Sequence, residues 1–258
     1  MSFNVRYANN QDGKNVWRYR QENATNMLLE SSADIIGMQE VLETQRKDLV
    51  ERLNEYDHVG VGRDDGKKSG EFSSIFYKKD KFSLLDSGTF WLSNNPNTIG
   101  KAGWDAALPR IATWVLLKDT KTGVEFFVLN THYDHKGIQA PVKSSELILK
   151  QMEVLAGNRP IIMMGDLNSY SDSEAIQTLK GGEGVWQLFD SRKIARTVTG
   201  EEGTFHSFGK LSGDQRERID YIFVNDKINV NHYQTLPDGN EQGFYSDHAP
   251  ILTHITIK

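Results

Sequence analysis

Six short segments of this 258-residue chain set metal-capable or proton-transferring side chains directly against apolar runs. They are Phe3-Asn4-Val5, Gly37-Met38-Gln39-Glu40, Asn130-Thr131-His132-Tyr133-Asp134, Gly165-Asp166-Leu167-Asn168, Arg218-Ile219-Asp220-Tyr221 and Ser246-Asp247-His248-Ala249-Pro250. Strand ends are where a rigid scaffold presents side chains into a shared cleft. Carboxylate, amide and imidazole groups suit a hard divalent cation such as Mg2+ or Mn2+. The chain has no cysteine, which removes disulfides, thiolate nucleophiles and zinc–thiolate sites.

Each segment alone has a plain structural explanation. Asp166-Leu167-Asn168 reads equally well as an Asx turn. A lone His132 is more often a satisfied histidine than a catalyst. Asn4 could meet a core hydrogen bond, and Glu40 an arginine. Asp220, between Ile219 and Tyr221, is harder to set aside, because a carboxylate inside an apolar strand is costly unless paired. His248 or Arg218 could pair with it. Arg110, after Pro109, is a candidate phosphate clamp, with a surface ion pair as the alternative.

The elements that must carry these residues alternate in type. Apolar periodicity predicts helices over Arg18–Glu30, Thr44–Leu53, Ser144–Leu155 and Ser173–Leu179. Strands are expected at Ile35–Gln39, Phe72–Tyr77, Leu84–Leu92, Ile111–Leu117, Glu125–Thr131, Ile161–Met164, Ile219–Val224 and Ile251–Ile257. Strands apolar on both faces, with helices between them, imply sheets covered on each side. Thr89–Pro109, with Trp91 and Trp104, reads as a structured loop whose tryptophans pack. Arg192–Arg218 reads as loops near the site, His206 among them. His135, His232 and His254 stay outside the expected site. No repeat, low-complexity run or linker interrupts the chain, so residues 1–258 are expected to form one domain.

Composition sets further bounds. No apolar run is long enough to cross a bilayer as a helix. The net charge is −5, and the lysines are scattered among acids. That argues against a long grip on duplex DNA, which needs many neutralised phosphates. A strand beginning almost at residue 1 suggests a trimmed leader, so an exported or periplasmic location stays open, as does the oligomeric state.

Together and in this order, the segments resemble the endonuclease/exonuclease/phosphatase (DNase I-like) superfamily, in a bacterial-type branch. The likeness runs from Asn4 to Pro250, and Gly-Asp-x-Asn followed by Ser-Asp-His is its most specific pair. The resemblance implies an α/β/β/α sandwich of two mixed sheets with the site at one edge. It implies a metal held by Glu40 with Asn4 and Asp247 adjoining, and Asp166 and Asn168 orienting the attacking water and the phosphate. It pairs His248 with Asp220, and makes His132 a phosphate contact supported by Glu71. Where that branch often carries an arginine after its His-x-Asp-His strand end, this chain has Ala140-Pro141-Val142-Lys143, and Lys143 lacks the bidentate fork.

The expected activity is Mg2+- or Mn2+-dependent hydrolysis of a phosphodiester, by metal-assisted water attack. A small or flexible diester, a nucleotide or single-stranded nucleic acid is favoured over long duplex DNA. A phosphatase or sphingomyelinase-like phospholipase acting on a phosphomonoester or lipid head group is the enzymatic rival. A catalytically silent binding module is the third reading; it would require loss of a core residue, and none is lost.

Overall fold

The run Ile161–Met164 is apolar at every position because it is covered on both faces. Ile161 and Met163 pack with Ile148, Met152, Ile176 and Leu179, whereas Ile162 and Met164 pack with Ile75, Tyr77, Val230 and Ile251. The first group belongs to a helical layer and the second to a facing sheet.

The computed structural model describes residues 1–181 and 186–258. Its elements begin with β1 (Ser2–Asn4), α1 (Trp17–Glu30), β2 (Ile35–Val41), α2 (Glu43–Arg52), β3 (Tyr56–Val59) and β4 (Phe72–Lys78). They continue with β5 (Phe82–Trp91), β6 (Ile111–Asp119), β7 (Glu125–His132), α3 (Gln139–Leu155), β8 (Ile161–Asp166) and α4 (Glu174–Lys180). Next come β9 (Phe189–Asp190), α5 (Ser191–Ile194), β10 (Thr197–Thr199), β11 (Asp220–Val224) and β12 (Ile228–Thr235). A small hairpin, β13 (Gly239–Asn240) and β14 (Gly243–Phe244), precedes β15 (Ile251–Ile257).

One mixed sheet has the order β10-β12-β15-β1-β2-β4-β3 and the other β5-β6-β7-β8-β11-β9. Helices α1 and α2 cover the first through Ala24, Met27, Leu28 and Leu49, against Phe3, Val5, Ile36 and Met38. Helices α3 and α4 cover the second. The result is the expected four-layer α/β/β/α sandwich.

The space between the sheets is apolar at one end and polar at the other. At the polar end, Gln39 Nε2 donates to Asn130 Oδ1 (2.7 Å), and Asn130 Nδ2 donates to the carbonyls of Met38 (2.9 Å) and Ser74 (2.8 Å). Asn130 on β7 thus closes three bonds to the opposite sheet while fully buried. Gly37 leaves room for it, because a Cβ there would lie 2.5 Å from Met164 Sδ and 2.9 Å from Asn130 Cγ.

Several elements depart from the sequence reading. Helix α3 starts at Gln139 instead of Ser144, since Pro141 falls in the first turn where its missing N–H has no partner to lose. Asp105, from the Thr89–Pro109 segment, accepts the N–H groups of Ile138 (2.8 Å), Gln139 (3.0 Å) and Ala140 (2.7 Å) and caps that helix in trans. Strand β12 is unexpected from the sequence. A bulge between Val230 and His232 moves its buried positions from Ile228 and Val230 to Tyr233 and Thr235, which breaks the two-residue period. The Arg192–Arg218 stretch is not all loop, as it holds the end of α5 and β10.

The cross-sheet amide makes a direct prediction. Asn130→Ala removes three buried cross-sheet hydrogen bonds, leaving Gln39 Nε2 only Ser2 Oγ (3.1 Å) and the Gly37 carbonyl (3.4 Å) on its own sheet, and should lower stability by about 3 kcal/mol, at roughly 1 kcal/mol per bond lost. Urea unfolding of wild type and variant measures it; a loss below about 1 kcal/mol would contradict the account.

Candidate active site

Sheet register brings three of the predicted side chains into one row. In parallel β7–β8, His132 is registered with Asp166, and in antiparallel β8–β11, Asp166 is registered with Asp220. Asn4 ends β1 on the facing sheet. Glu40 reaches the same place because β2 leaves its register with β4 after Met38; Glu40 itself sits at φ 60°, a left-handed conformation. A bulge of this kind re-aims a side chain at the end of a strand. Asn168 (φ 44°) follows β8, and Asp247 and His248 precede β15.

The hub is Asp166, which is 1% exposed. Its Oδ2 accepts from Asn4 Nδ2 (2.8 Å) and lies 3.5 Å from His132 Nε2 and 3.8 Å from His248 Nε2. Its Oδ1 accepts the Asn168 N–H (3.0 Å). Asn4 Nδ2 also donates to Glu40 Oε1 (3.0 Å), so one amide ties two carboxylates together. His248 Nδ1 faces Asp220 Oδ2 at 2.8 Å. Of the two partners foreseen for Asp220, His248 takes it, and Arg218 turns instead to Asp190 (2.6 Å). Thr204 Oγ1 accepts from the N–H groups of Ile219 and Asp220 (3.2 Å each) and fixes the start of β11.

Burial and like charge shape the electrostatics. Burial and the neighbouring Asp220 push the Asp166 carboxyl up to about 7. Burial likewise raises Asp247, with Glu40 adding to it. Burial alone would lower His248, but Asp220 and Asp166 outweigh it and raise the imidazole to about 10. Burial, then Arg110 and Arg63, hold His132 well below the usual histidine range. Ligand atoms of Glu40, His132 and Asp166 lie within 4.8 Å of one another, as do those of Asp166, Asp220 and His248. Asp166 and Asp247, raised by burial and then by a neighbouring carboxylate, fit a divalent cation, which would relieve that repulsion.

Some expected roles change in detail. Asn4 Oδ1 accepts the Arg6 N–H (2.9 Å), which uses one of the two lone pairs of that oxygen. Its Nδ2 joins Glu40 to Asp166. Glu71 is held by both guanidinium nitrogens of Arg63 (2.8 and 2.9 Å), and its Oε2 stays 3.8 Å from His132 Nδ1, beyond a direct hydrogen bond. Asn168 Nδ2 donates to the Tyr133 carbonyl and faces His132 Nε2, both at 3.0 Å. The carbonyl fixes that nitrogen as the amide donor, so His132 Nε2 accepts and Nδ1 carries the proton.

Arg110 is not in a surface pair. It is 3% exposed, lies 3.4 Å from Asp134 and 2.9 Å from His135 Nδ1, and leaves Nη1 unpartnered. Lys143 does not replace the absent arginine, because its ammonium pairs with Glu146 on the helix surface (2.8 Å). Trp91 packs, donating to the Arg63 carbonyl (2.7 Å), and His206 is fully buried.

Sequence reasoning missed Arg6, Arg63 and Thr204. Arg6 stands two residues past Asn4, close enough to the strand end to have signalled itself. A cleft of about 580 Å³ between the sheets, lined by residues such as Phe82, Phe126 and Ile257, contains none of the candidate residues.

Comparison with known proteins shows the family. The chain belongs to the Endonuclease/Exonuclease/phosphatase family, whose profile matches residues 1–248. The family hydrolyses phosphoester bonds. A solved endonuclease/exonuclease/phosphatase from Bacteroides vulgatus is 42% identical with a TM-score of 0.96, covering 100% of this chain and 97% of that one. A mannosyl-6-phosphatase of Bacteroides thetaiotaomicron is 37% identical with a TM-score of 0.91, over 99% of this chain and 98% of the other. The CCR4-Not complex 3'-5'-exoribonuclease subunit Ccr4 of Kluyveromyces lactis is 26% identical over 299 aligned positions, covering 93% of this chain. The chain spans only 38% of that relative's length, and half or less of the other curated relatives it matches first.

The electrostatics predict how pH acts on cation binding. Without a cation, folded Asp166 keeps until about pH 7 a proton that the unfolded chain loses near its ordinary value of 3.8. The fold therefore loses stability as pH rises through that window. A cation must displace this proton, so the rise in Tm produced by Mg2+ should grow from pH 5 to pH 8. Thermal melts of chelator-treated protein with and without Mg2+ measure it, and a rise in Tm independent of pH would contradict it.

Proposed function

We propose that this chain is a divalent-metal-dependent phosphomonoesterase acting on a sugar phosphate. The observation that carries the hydrolytic reading is the convergence on Asp166 Oδ2 of Asn4, His132 and His248, with Glu40 tied to it through Asn4. In this reading Glu40 and Asp166 would hold the cation, with Asp247 beside them. Such a cation, when bound, supplies positive charge for the phosphate oxygens.

The chain's own groups do the rest. Asp166, at the hub of Asn4, His132 and His248, orients the attacking water and accepts its proton through the carboxylate. His248, kept protonated between Asp220 and Asp166, donates to a phosphoryl oxygen as negative charge grows there. Asp220 is a positioning residue that holds the imidazole by Nδ1. Asn168 steadies the neutral His132 ring on the opposite wall.

The monoester choice rests on charge and on likeness. Two buried arginines, Arg63 and Arg110, back the His132 wall, and Arg110 keeps Nη1 free of partners. An unpartnered guanidinium nitrogen on a wall otherwise paired with Glu71 and Asp134 suits a single compact phosphate, and the net charge of −5 disfavours a long polyanion. The 37% identity to a mannosyl-6-phosphatase extends over nearly the whole chain. A nuclease acting on single-stranded nucleic acid is the second reading, favoured by the likeness to the Ccr4 exoribonuclease subunit.

Two outcomes test this. Phosphate release from mannose 6-phosphate should require Mg2+ or Mn2+, stop with EDTA, and exceed turnover of bis-p-nitrophenyl phosphate and of oligonucleotides in kcat/KM. Faster cleavage of a single-stranded oligonucleotide would favour the nuclease, and undiminished activity in EDTA would sink the metal. Asp220→Asn should lower kcat by about 10²-fold with little change in KM, the scale for losing a positioned proton-transfer group. Wild-type kcat in that variant would refute the role given to Asp220.

A further inference from the structure

His135 stands outside the site expected from sequence, yet it is held unlike an ordinary exposed histidine. It follows His132 closely, in the loop between β7 and α3. Asp134 folds that loop into a tight turn, its Oδ2 accepting the N–H groups of Lys136 (3.0 Å) and Gly137 (2.8 Å). Gly137 packs directly on Asp105, where a Cβ would meet Oδ1 at 2.7 Å and the backbone oxygen at 3.0 Å. Asp105 also takes the N–H groups of Ile138, Gln139 and Ala140, so the turn has no slack on its far side.

The imidazole is fixed as well as the backbone. Arg110 Nη2 lies 2.9 Å from His135 Nδ1, and Arg110 is itself buried and braced by Asp134. A guanidinium only donates, so Nδ1 accepts, and in the neutral ring Nε2 carries the hydrogen. Burial and then Arg110 lower the pKa of His135 from its ordinary value, which keeps the ring uncharged at neutral pH. None of the described residues takes the Nε2 hydrogen, and the residue is exposed. This donor stands beside the reacting groups. Arg110 and His132 line one small cavity, and Arg110 joins His135 to it. The charges of Glu40 and His135 bear on one another, and so do those of His132 and His135.

We propose that His135 is a specificity-determining residue whose Nε2–H donates to a hydroxyl oxygen of the sugar leaving group, while Arg110 Nη1 serves the phosphate. The division follows from charge. A guanidinium is matched to a phosphate oxygen, whereas a neutral N–H meets a neutral hydroxyl without the cost of desolvating an ion. Both donors hang on one arginine–imidazole contact, so their spacing is set before substrate arrives and little side-chain freedom is lost on binding. A phosphate ester without hydroxyls satisfies Arg110 alone, and a sugar phosphate satisfies both. This inference rests on the proposed action on a sugar phosphate, and names the residue that recognises the sugar.

The test compares mannose 6-phosphate with p-nitrophenyl phosphate, which carries the same phosphate and no hydroxyl, at saturating Mn2+. His135→Ala should lower the ratio of their kcat/KM values about five- to tenfold, the scale of one neutral hydrogen bond, mostly through KM for the sugar phosphate. Taking the ratio removes any effect passed through Arg110 to the phosphate, because both substrates carry it. His135→Gln offers Arg110 an oxygen and keeps an N–H for substrate, and should restore most of the ratio. A ratio within about twofold of wild type in folded His135→Ala would overturn the inference, whether the two activities hold or fall together. A His135→Gln ratio no better than that of His135→Ala would overturn it as well. Wild type that cleaves p-nitrophenyl phosphate but not mannose 6-phosphate would sink the sugar-phosphate reading itself, and this inference with it.

Discussion

Buried negative charge is the constraint around which this molecule is arranged. Asp166 and Asp220 face each other across a β-ladder, Glu40 reaches Asp166 through a shared amide, and Asp247 lies nearby. Carboxylates in such a place repel one another and lose water, so they demand compensation. The chain supplies part of it as Arg6 and as the imidazole of His248, and the rest suits a cation. The hydrolytic chemistry we assign to the site follows from that demand.

The sandwich exists to make the crowding possible. Three strand ends in one register line present His132, Asp166 and Asp220, and the facing sheet brings Asn4 and Glu40 against them. The sheets can approach so closely because Gly37 has no side chain and Asn130 replaces apolar packing with three cross-sheet hydrogen bonds. At the far end Ile75, Val128, Ile162 and Val230 keep the layers together by ordinary apolar burial. Each fully buried aliphatic side chain there contributes about 2 kcal/mol. Rigidity thus comes from the apolar end and reactivity from the polar one.

Much of this was legible in the sequence, because the chemistry sits at strand ends and strands betray themselves by apolar runs. Gly165-Asp166-Leu167-Asn168 and Ser246-Asp247-His248 could be read as sites since polar groups follow buried strands abruptly. What escaped was set by distant geometry. Strand β12 hid behind a bulge, and α3 began early because Asp105, over thirty residues away in sequence, caps it. Arg63 and Arg110 could not be told from surface cations, because only the fold shows them buried against Glu71, Asp134 and His132. Asn4 was expected among the metal ligands, and only the fold shows that its oxygen also accepts the Arg6 N–H.

The most direct test is a crystal structure of the protein soaked in Mn2+, with the ion located by its anomalous scattering. The account predicts a peak within coordination distance of Glu40 and Asp166, about 2.0–2.3 Å from carboxylate oxygens. Asn4 should remain turned with its nitrogen towards those carboxylates. A peak elsewhere, or none near Glu40 at saturating Mn2+, would contradict the claim that this buried charge is built to hold a cation.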